Sequence, residues 1–115
     1  GDPLGDYLES FPQFDGVRDD ALILPSHGMP YRGIRGRIDE LRDHHRRRLE
    51  ATAAFLREPK RAFELTRVMF PHVEGPDNIG FALGETLAHV NRLVRQGIVA
   101  DVSPDNAGAV YRTIA

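Results

Sequence analysis

Five histidines carry most of the chemical potential of this 115-residue chain. One of them sits in the run Leu22-Ile23-Leu24-Pro25-Ser26-His27-Gly28. The apolar residues at its head predict a short buried strand over Ala21–Leu24, Pro25 stops it, and Gly28 permits a sharp turn. An imidazole at the carboxyl end of a strand stands where layered α/β proteins place ligand and metal groups. One imidazole does not make a metal site, because even a catalytic zinc takes about three protein ligands. His27 is therefore either a loop residue or one member of a set completed by residues outside this chain.

The other histidines suggest less. His44 and His45 are adjacent, so they lie about 100° apart around a helix. The HxxxH spacing that sets two zinc ligands on one helix face is absent. His45 falls on an apolar stripe and is expected to be a core histidine bonded to a backbone carbonyl. His44 could then point toward a substrate. Glu85 and His89 form an i,i+4 pair with no third ligand in view, which predicts a structural role. The chain has no cysteine, which excludes disulfides, thiol catalysis and thiolate metal sites.

Several elements must position these groups. Asp2-Pro3 predicts a helix start, an N-cap followed by proline at the first helical position. Leu4, Leu8 and Phe11 share one face of that helix, Tyr7 lies beside them, and Pro12 should end it. A helix and one strand cannot close a core, so residues 1–33 read as the edge of something larger. Ile34, Ile38, Leu41, His45, Leu49, Thr52 and Leu56 then recur at helical spacing as one stripe about six turns long. Arg35–Asp39, Asp43–Arg47 and Arg46–Glu50 are expected i,i+4 pairs on its other faces. After the Glu58-Pro59 break, a second helix is predicted over Lys60–Phe70, with Ala62, Leu65, Thr66 and Met69 on one face. His72–Gly80 reads as a polar loop. A third helix is predicted from Phe81 to Gln96, with Leu83, Leu87, Val90 and Val94 in register and Gly97 as its C-terminal cap. Ile98–Val102 and Val110–Ile114 read as two strands around a Ser103–Gly108 turn. Three helices followed by a hairpin is the order of a winged helix.

Charge is distributed unevenly. Residues 1–33 hold six acids and two bases, net −4, whereas residues 34–115 hold thirteen bases and eleven acids, net +2. That balance argues against a nucleic-acid partner, which needs clustered unpaired Lys or Arg. No apolar run approaches the roughly 18 residues of a membrane span. There is no signal-peptide pattern, and the absence of cysteine fits a cytoplasmic protein.

Read together, three stretches resemble the C-terminal part of metallo-β-lactamase-fold hydrolases that carry a winged-helix domain after the catalytic one. Asp2-Pro3-Leu4-Gly5-Asp6-Tyr7-Leu8-Glu9-Ser10 is similar to the helix before the last catalytic-domain strand. Leu24-Pro25-Ser26-His27-Gly28 is similar to the final metal-ligand loop. Arg37–Leu41, His44-His45, Arg48-Leu49, Gly84–His89 and Leu93–Gly97 are similar to the appended domain. The resemblance implies a dizinc hydrolase in which His27 completes the second metal's ligand set, and in which metal lowers the pKa of a bridging water. It implies residues 1–33 as a remnant of the αββα catalytic domain and 34–115 as a winged-helix domain, mainly α with a small β hairpin. The HxHxDH motif of the family is absent. The chain is accordingly expected to be a C-terminal fragment, inactive and without metal by itself, whose partner is the missing N-terminal catalytic domain. His44 and His45 are candidate substrate-proximal residues. A homodimer is a further candidate partner, through the long helix or the N-terminal segment. The alternative function is a winged-helix nucleic-acid-binding or regulatory module, with the third helix as reader through Glu85, Thr86, His89, Asn91, Arg92, Arg95 and Gln96.

Overall fold

The computed structural model describes residues 2–25, 29–104 and 108–115. Helix α1 spans Pro3–Glu9. The Asp2 side chain caps it, accepting from the Gly5 N–H at 3.0 Å. Pro12 does not end the helix directly. The chain leaves α1 at Glu9 and takes a 3-10 turn over Phe11–Phe14, with Pro12 in its first turn, where a missing N–H costs nothing.

Helix α2 runs from Ile34 to Phe55. Every residue of the predicted stripe from Ile34 to Leu56 is buried or half-buried. Two of the three expected ion pairs form on its outer faces, Asp43–Arg47 at 2.9 Å and Arg46–Glu50 at 3.2 Å. Arg35 does not meet Asp39. It reaches back to the Asp15 carbonyl at 3.2 Å, and Asp39 lies 4.0 Å from Arg42.

Helix α3 covers Ala62–Met69. It starts later than the predicted Lys60 because Lys60 pairs with Tyr111 in an isolated antiparallel bridge instead. Glu64 accepts from the Arg61 N–H at 3.0 Å and closes the first turn. Helix α4 spans Pro76–Arg95, five residues longer at its start than the predicted Phe81. Pro76 stands at its first position and Asp77 in its first turn, both start signals within a stretch whose composition reads as loop. Gly97 adopts a φ of 74° at the other end. Its N–H reaches the Val94 carbonyl and the Ile98 N–H reaches that of Leu93, both at 3.0 Å, which is a Schellman closure. Strands β1 (Val99–Asp101) and β2 (Tyr111–Thr113) pair antiparallel, Val99 opposite Thr113.

The core is Leu56, Leu65, Val90, Leu93 and Val99, one or two residues from each of α3, α4, β1 and the end of α2. Three threonines are buried among the helices: Thr52, Thr66 and Thr86. Each donates its hydroxyl to the carbonyl four residues earlier, at 2.7, 2.7 and 2.9 Å, so none is buried unsatisfied. Thr113 ties the hairpin to α2 by donating to the Ala53 carbonyl at 2.6 Å.

The segment before α2 departs from expectation twice. No strand forms over 21–24. Ile23 makes one antiparallel bridge with Tyr31, since a ladder needs a neighbouring strand and none lies among the described residues. An edge of something larger is also expected to expose Leu4, Leu8, Phe11 and Ile23, yet Leu4 and Phe11 keep only 6% and 3% of their surface and Leu8 and Ile23 are half-buried, because α1 packs on α4 and its following turn reaches α2. The most exposed large apolar residues of the segment are Leu22, Leu24 and Met29, at 50%, 74% and 83%.

Candidate functional site

A cluster of aromatic and imidazole rings lies where α1, α2 and α4 meet. His89 on α4 is 2% exposed. Its Nδ1 lies 2.7 Å from the Glu85 carbonyl, an acceptor only, so Nδ1 carries the proton and donates. That leaves Nε2 as an acceptor. His45 Nδ1 lies 3.4 Å from it and is therefore the donor across a long, weak bond. His45 is half-buried. Tyr7 on α1 presents its ring edge to His45 with centroids 5.7 Å apart, and it also meets Phe11 at 4.9 Å. His44 stands edge-on to His45 at 5.3 Å.

Both rings of the pair are held below the ordinary histidine range. Burial is the main cause for His45, followed by the charges of His89 and His44, with Glu85 opposing. Burial also dominates for His89, and the Glu85 carbonyl and carboxylate only partly offset it. The result is two neutral imidazoles joined to a backbone carbonyl. A ring whose Nδ1–H is committed to a partner has a fixed orientation and tautomer, the support given to histidines that bind metal or move protons.

The expectation for His45 is corrected in one respect. Its bond goes to His89, and His89 is the histidine bonded to a carbonyl. The Glu85–His89 contact likewise runs through the Glu85 main chain. Sequence reading missed His89 as a partner for His45 because it placed Leu83, Leu87, Val90 and Val94 on the inner face of α4. The buried residues there are Ala82, Thr86, His89, Val90 and Leu93, whereas Leu87 and Val94 are 41% and 39% exposed. His44 faces elsewhere: it is exposed and lines a shallow groove of about 330 Å³ with Arg47, Arg48, Phe55 and Met69.

A second cluster fixes α1. Asp2 Oδ2 meets Arg92 Nη1 on α4 at 3.2 Å, with both side chains largely buried. Burial would raise the Asp2 pKa, but the Gly5 N–H and the Arg92 guanidinium outweigh it and hold the carboxyl below its ordinary range. Gly5 leaves the room for this pair, since a Cβ there would stand 2.7 Å from Arg92 Nη1 and closer still to Asp2.

His27 lies in residues 26–28, outside the described residues. The chain on either side of it is tied: Ile23 and Tyr31 exchange two main-chain bonds of 2.6 and 3.1 Å, and the Gly33 N–H reaches the Asp19 carbonyl at 2.8 Å. Among the described residues no group of three or more His, Asp or Glu side chains could hold a metal. These residues do not by themselves fit a metal centre, and His27 would need its companion ligands from elsewhere. The proposed reading surface of α4 is also depleted. Thr86 and His89 are inside the core, and Arg92 is paired with Asp2.

Fold and geometry therefore describe a small helical domain with an N-terminal segment fastened to it, and the comparisons place that arrangement in a family. Residues 49–113 match the family of metallo-beta-lactamase-like C-terminal domains. The whole chain is similar to a beta-lactamase domain protein from Burkholderia ambifaria, at 39% identity and a TM-score of 0.88 over 99% of this chain and 34% of that one. A metallo-beta-lactamase family protein from Thermus thermophilus is similar at 33% identity and a TM-score of 0.78, over 98% of this chain and 34% of that one. No curated protein matches the chain significantly. The chain belongs to the metallo-beta-lactamase-like C-terminal domain family and represents the C-terminal part of such a protein. It spans about a third of the length of these two solved relatives. Among the described residues no helix is long and apolar enough to cross a membrane.

Proposed function

We propose that this chain serves a metal-dependent, dizinc hydrolase of the metallo-β-lactamase superfamily, and that it supplies one ligand histidine, His27, and a helical cap. Residues 1–33 are read as the end of the catalytic domain and 34–115 as a winged-helix domain, since three helices followed by a two-stranded hairpin is the order such domains have. The observation that carries the reading is the reach of the likeness. The alignment to the Burkholderia protein includes 99% of this chain, so it extends through the segment bearing His27 and not only the helical part.

The exposed Leu22, Leu24 and Met29 flank the His27 stretch. They are the apolar surface a neighbouring catalytic domain would cover. In this reading the 115-residue chain is inactive alone, and the N-terminal catalytic region is its partner. His44 and His45 border the substrate on the cap side, with His45 held by His89.

Metal analysis of the longer protein tests the proposal. Wild type is expected to hold two zinc ions, and His27→Ala is expected to lose one of them with hydrolysis, while the isolated chain takes up none tightly. Undiminished zinc in the His27→Ala protein would overturn it.

A further inference from the structure

One flank of α2 is left open by the fold. Two grooves of about 320 and about 730 Å³ run along it and share Glu50, Ala53 and Ile98, so they form one trough. Its floor is apolar, with Leu49 and Ala53 from α2, Leu8 from α1, and Ile98 and Ile114 from either side of the hairpin. Its α2 bank is charged. Asp39, Arg46, Glu50 and Arg57 lie within about 40° of one another around the helix axis, and all four are exposed. Arg57 sits in the closing turn and still follows the helical course, since its N–H reaches the Ala54 carbonyl at 3.3 Å. The four are spaced seven, four and seven residues apart, and they read acid, base, acid, base. Such a row is the complement of its own reverse. Arg46 is partnered within the helix by Asp43 and Glu50. Asp39 comes only to 4.0 Å from Arg42, and the Arg57 guanidinium meets no carboxylate among the described residues.

We infer that this flank of α2 is the surface through which two copies of the chain pair, their α2 helices antiparallel about a two-fold axis at the level of residue 48. A two-fold contact sets residue i against residue j and residue j against residue i. With the axis there, Asp39 faces the partner's Arg57 and Arg46 faces the partner's Glu50, and each pair occurs twice. Asp43 and Arg42 fall opposite the partner's Ala53 and Ala54, so none of these charges meets its like. Alternating signs suit a polyanion poorly, since a nucleic acid needs cations throughout, whereas they fit the chain's own reverse. From sequence, a homodimer could use either the long helix or the N-terminal segment; the trough and its charge row favour the helix. The contact runs about 27 Å along α2 and is narrow, so it belongs with the small, weak interfaces. Covering Leu8, Leu49, Ile98 and Ile114, all half-buried or exposed in the single chain, supplies the affinity, and the ion pairs set orientation and register. Antiparallel pairing also puts the two Ile34 ends, and the N-terminal segments that enter them, at opposite ends of the joint, where neither obstructs the other. The pairing needs nothing from His27, so it stands apart from the proposed hydrolase role.

Sedimentation equilibrium of the 115-residue chain, from about 1 to about 500 µM, tests the pairing. Wild type is expected to show a monomer–dimer equilibrium that weakens as salt is raised. Asp39→Arg and Arg57→Glu each turn two facing pairs into like-charge pairs and should weaken dimerisation about tenfold. Both sites are exposed, so neither reversal disturbs the fold. An equimolar mixture of the two variants should associate as wild type does, because each then offers the charge the other lacks. The double variant should recover in the same way. Residues 39 and 57 stand about 27 Å apart along one helix, out of reach of each other within a chain, so recovery can arise only between copies. A chain that stays monomeric throughout, a dimer indifferent to both reversals, or reversals that the mixture does not repair would overturn the inference. So would a dimer dissolved by Leu24→Glu and not by the reversals, since its contact would lie on the N-terminal segment.

Discussion

The segment from Asp2 to Gly33 and the helical part from Ile34 onward are built on different principles. The helical part closes a core of its own: Leu56 and Leu65 have no exposed surface, and Val90, Leu93 and Val99 have 1–2%, while Phe63, Phe81 and Ile114 stay on its surface. It also satisfies its buried hydroxyls from within each helix. The N-terminal segment contributes no residue to that core cluster, although Leu4 and Phe11 are buried against the helices. It is fastened by a few specific contacts, Leu4, Phe11, the Asp2–Arg92 pair and the Tyr7–His45 edge, and it leaves Leu22, Leu24 and Met29 in solvent. The family match, residues 49–113, starts within α2 and lies wholly in the helical part.

The sharpest way to break this comparison is to truncate one leucine in each part. Leu65→Ala should cost about 2–5 kcal/mol in a denaturant titration, the range for emptying a packed core position. Leu24→Ala should change stability by less than about 0.5 kcal/mol in this chain. A comparable loss at both would show that the N-terminal segment has its own core.

A smaller effect tests the fastening. Asp2→Ala removes both the cap of α1 and the partner of Arg92, and should cost about 1–2 kcal/mol, felt mainly as lost protection of α1. Gly5→Ala reaches the same pair from the other side by forcing Asp2 and Arg92 apart. If α1 exchanges as slowly in either variant as in wild type, the pair does not hold it.

The dependence on pH sharpens the comparison further. The ordinary value for both histidines is 6.5, and the fold lowers each. Above 6.5 the rings are neutral in the folded and unfolded chain alike, so stability is full. Below it the unfolded chain binds protons that the folded pair resists. The melting temperature should therefore fall as pH drops from 6.5, until the folded rings titrate and the loss is complete. A melting temperature that stays level or rises in that interval would contradict the buried neutral pair. Thr113→Val should cost about 1 kcal/mol for the lost bond to the Ala53 carbonyl. It should leave α1 untouched, because that bond lies wholly within the helical part.

Much of this molecule was legible in the sequence. The α2 stripe, the hairpin and the Gly97 cap could be read because each depends on spacing within a few residues. So could the family, since the motifs around His27 and the order of the appended helices are local patterns. The inner face of α4 could not. Thr86 and His89 look like surface residues, yet each satisfies its polar atom on a carbonyl four residues back and can be buried at little cost. The start of α4 is hidden in a similar way, because Pro76 resembles a loop signal while it marks the first turn. The expected strand at 21–24 failed for the opposite reason. Its residues have the right composition, but a strand needs a partner that periodicity cannot supply.

The sequence by itself determined that three helices and a closing hairpin follow Gly33 in that order, and it excluded thiol chemistry. These follow from short-range spacing and from composition. Only the tertiary structure decided that Asp2 meets Arg92 across ninety residues, that Leu4 and Phe11 are covered, and that the rings of His45 and His89 meet. Those contacts depend on how α1, α2 and α4 cross, and the crossing is set by the summed packing of the whole core rather than by any stretch of the chain.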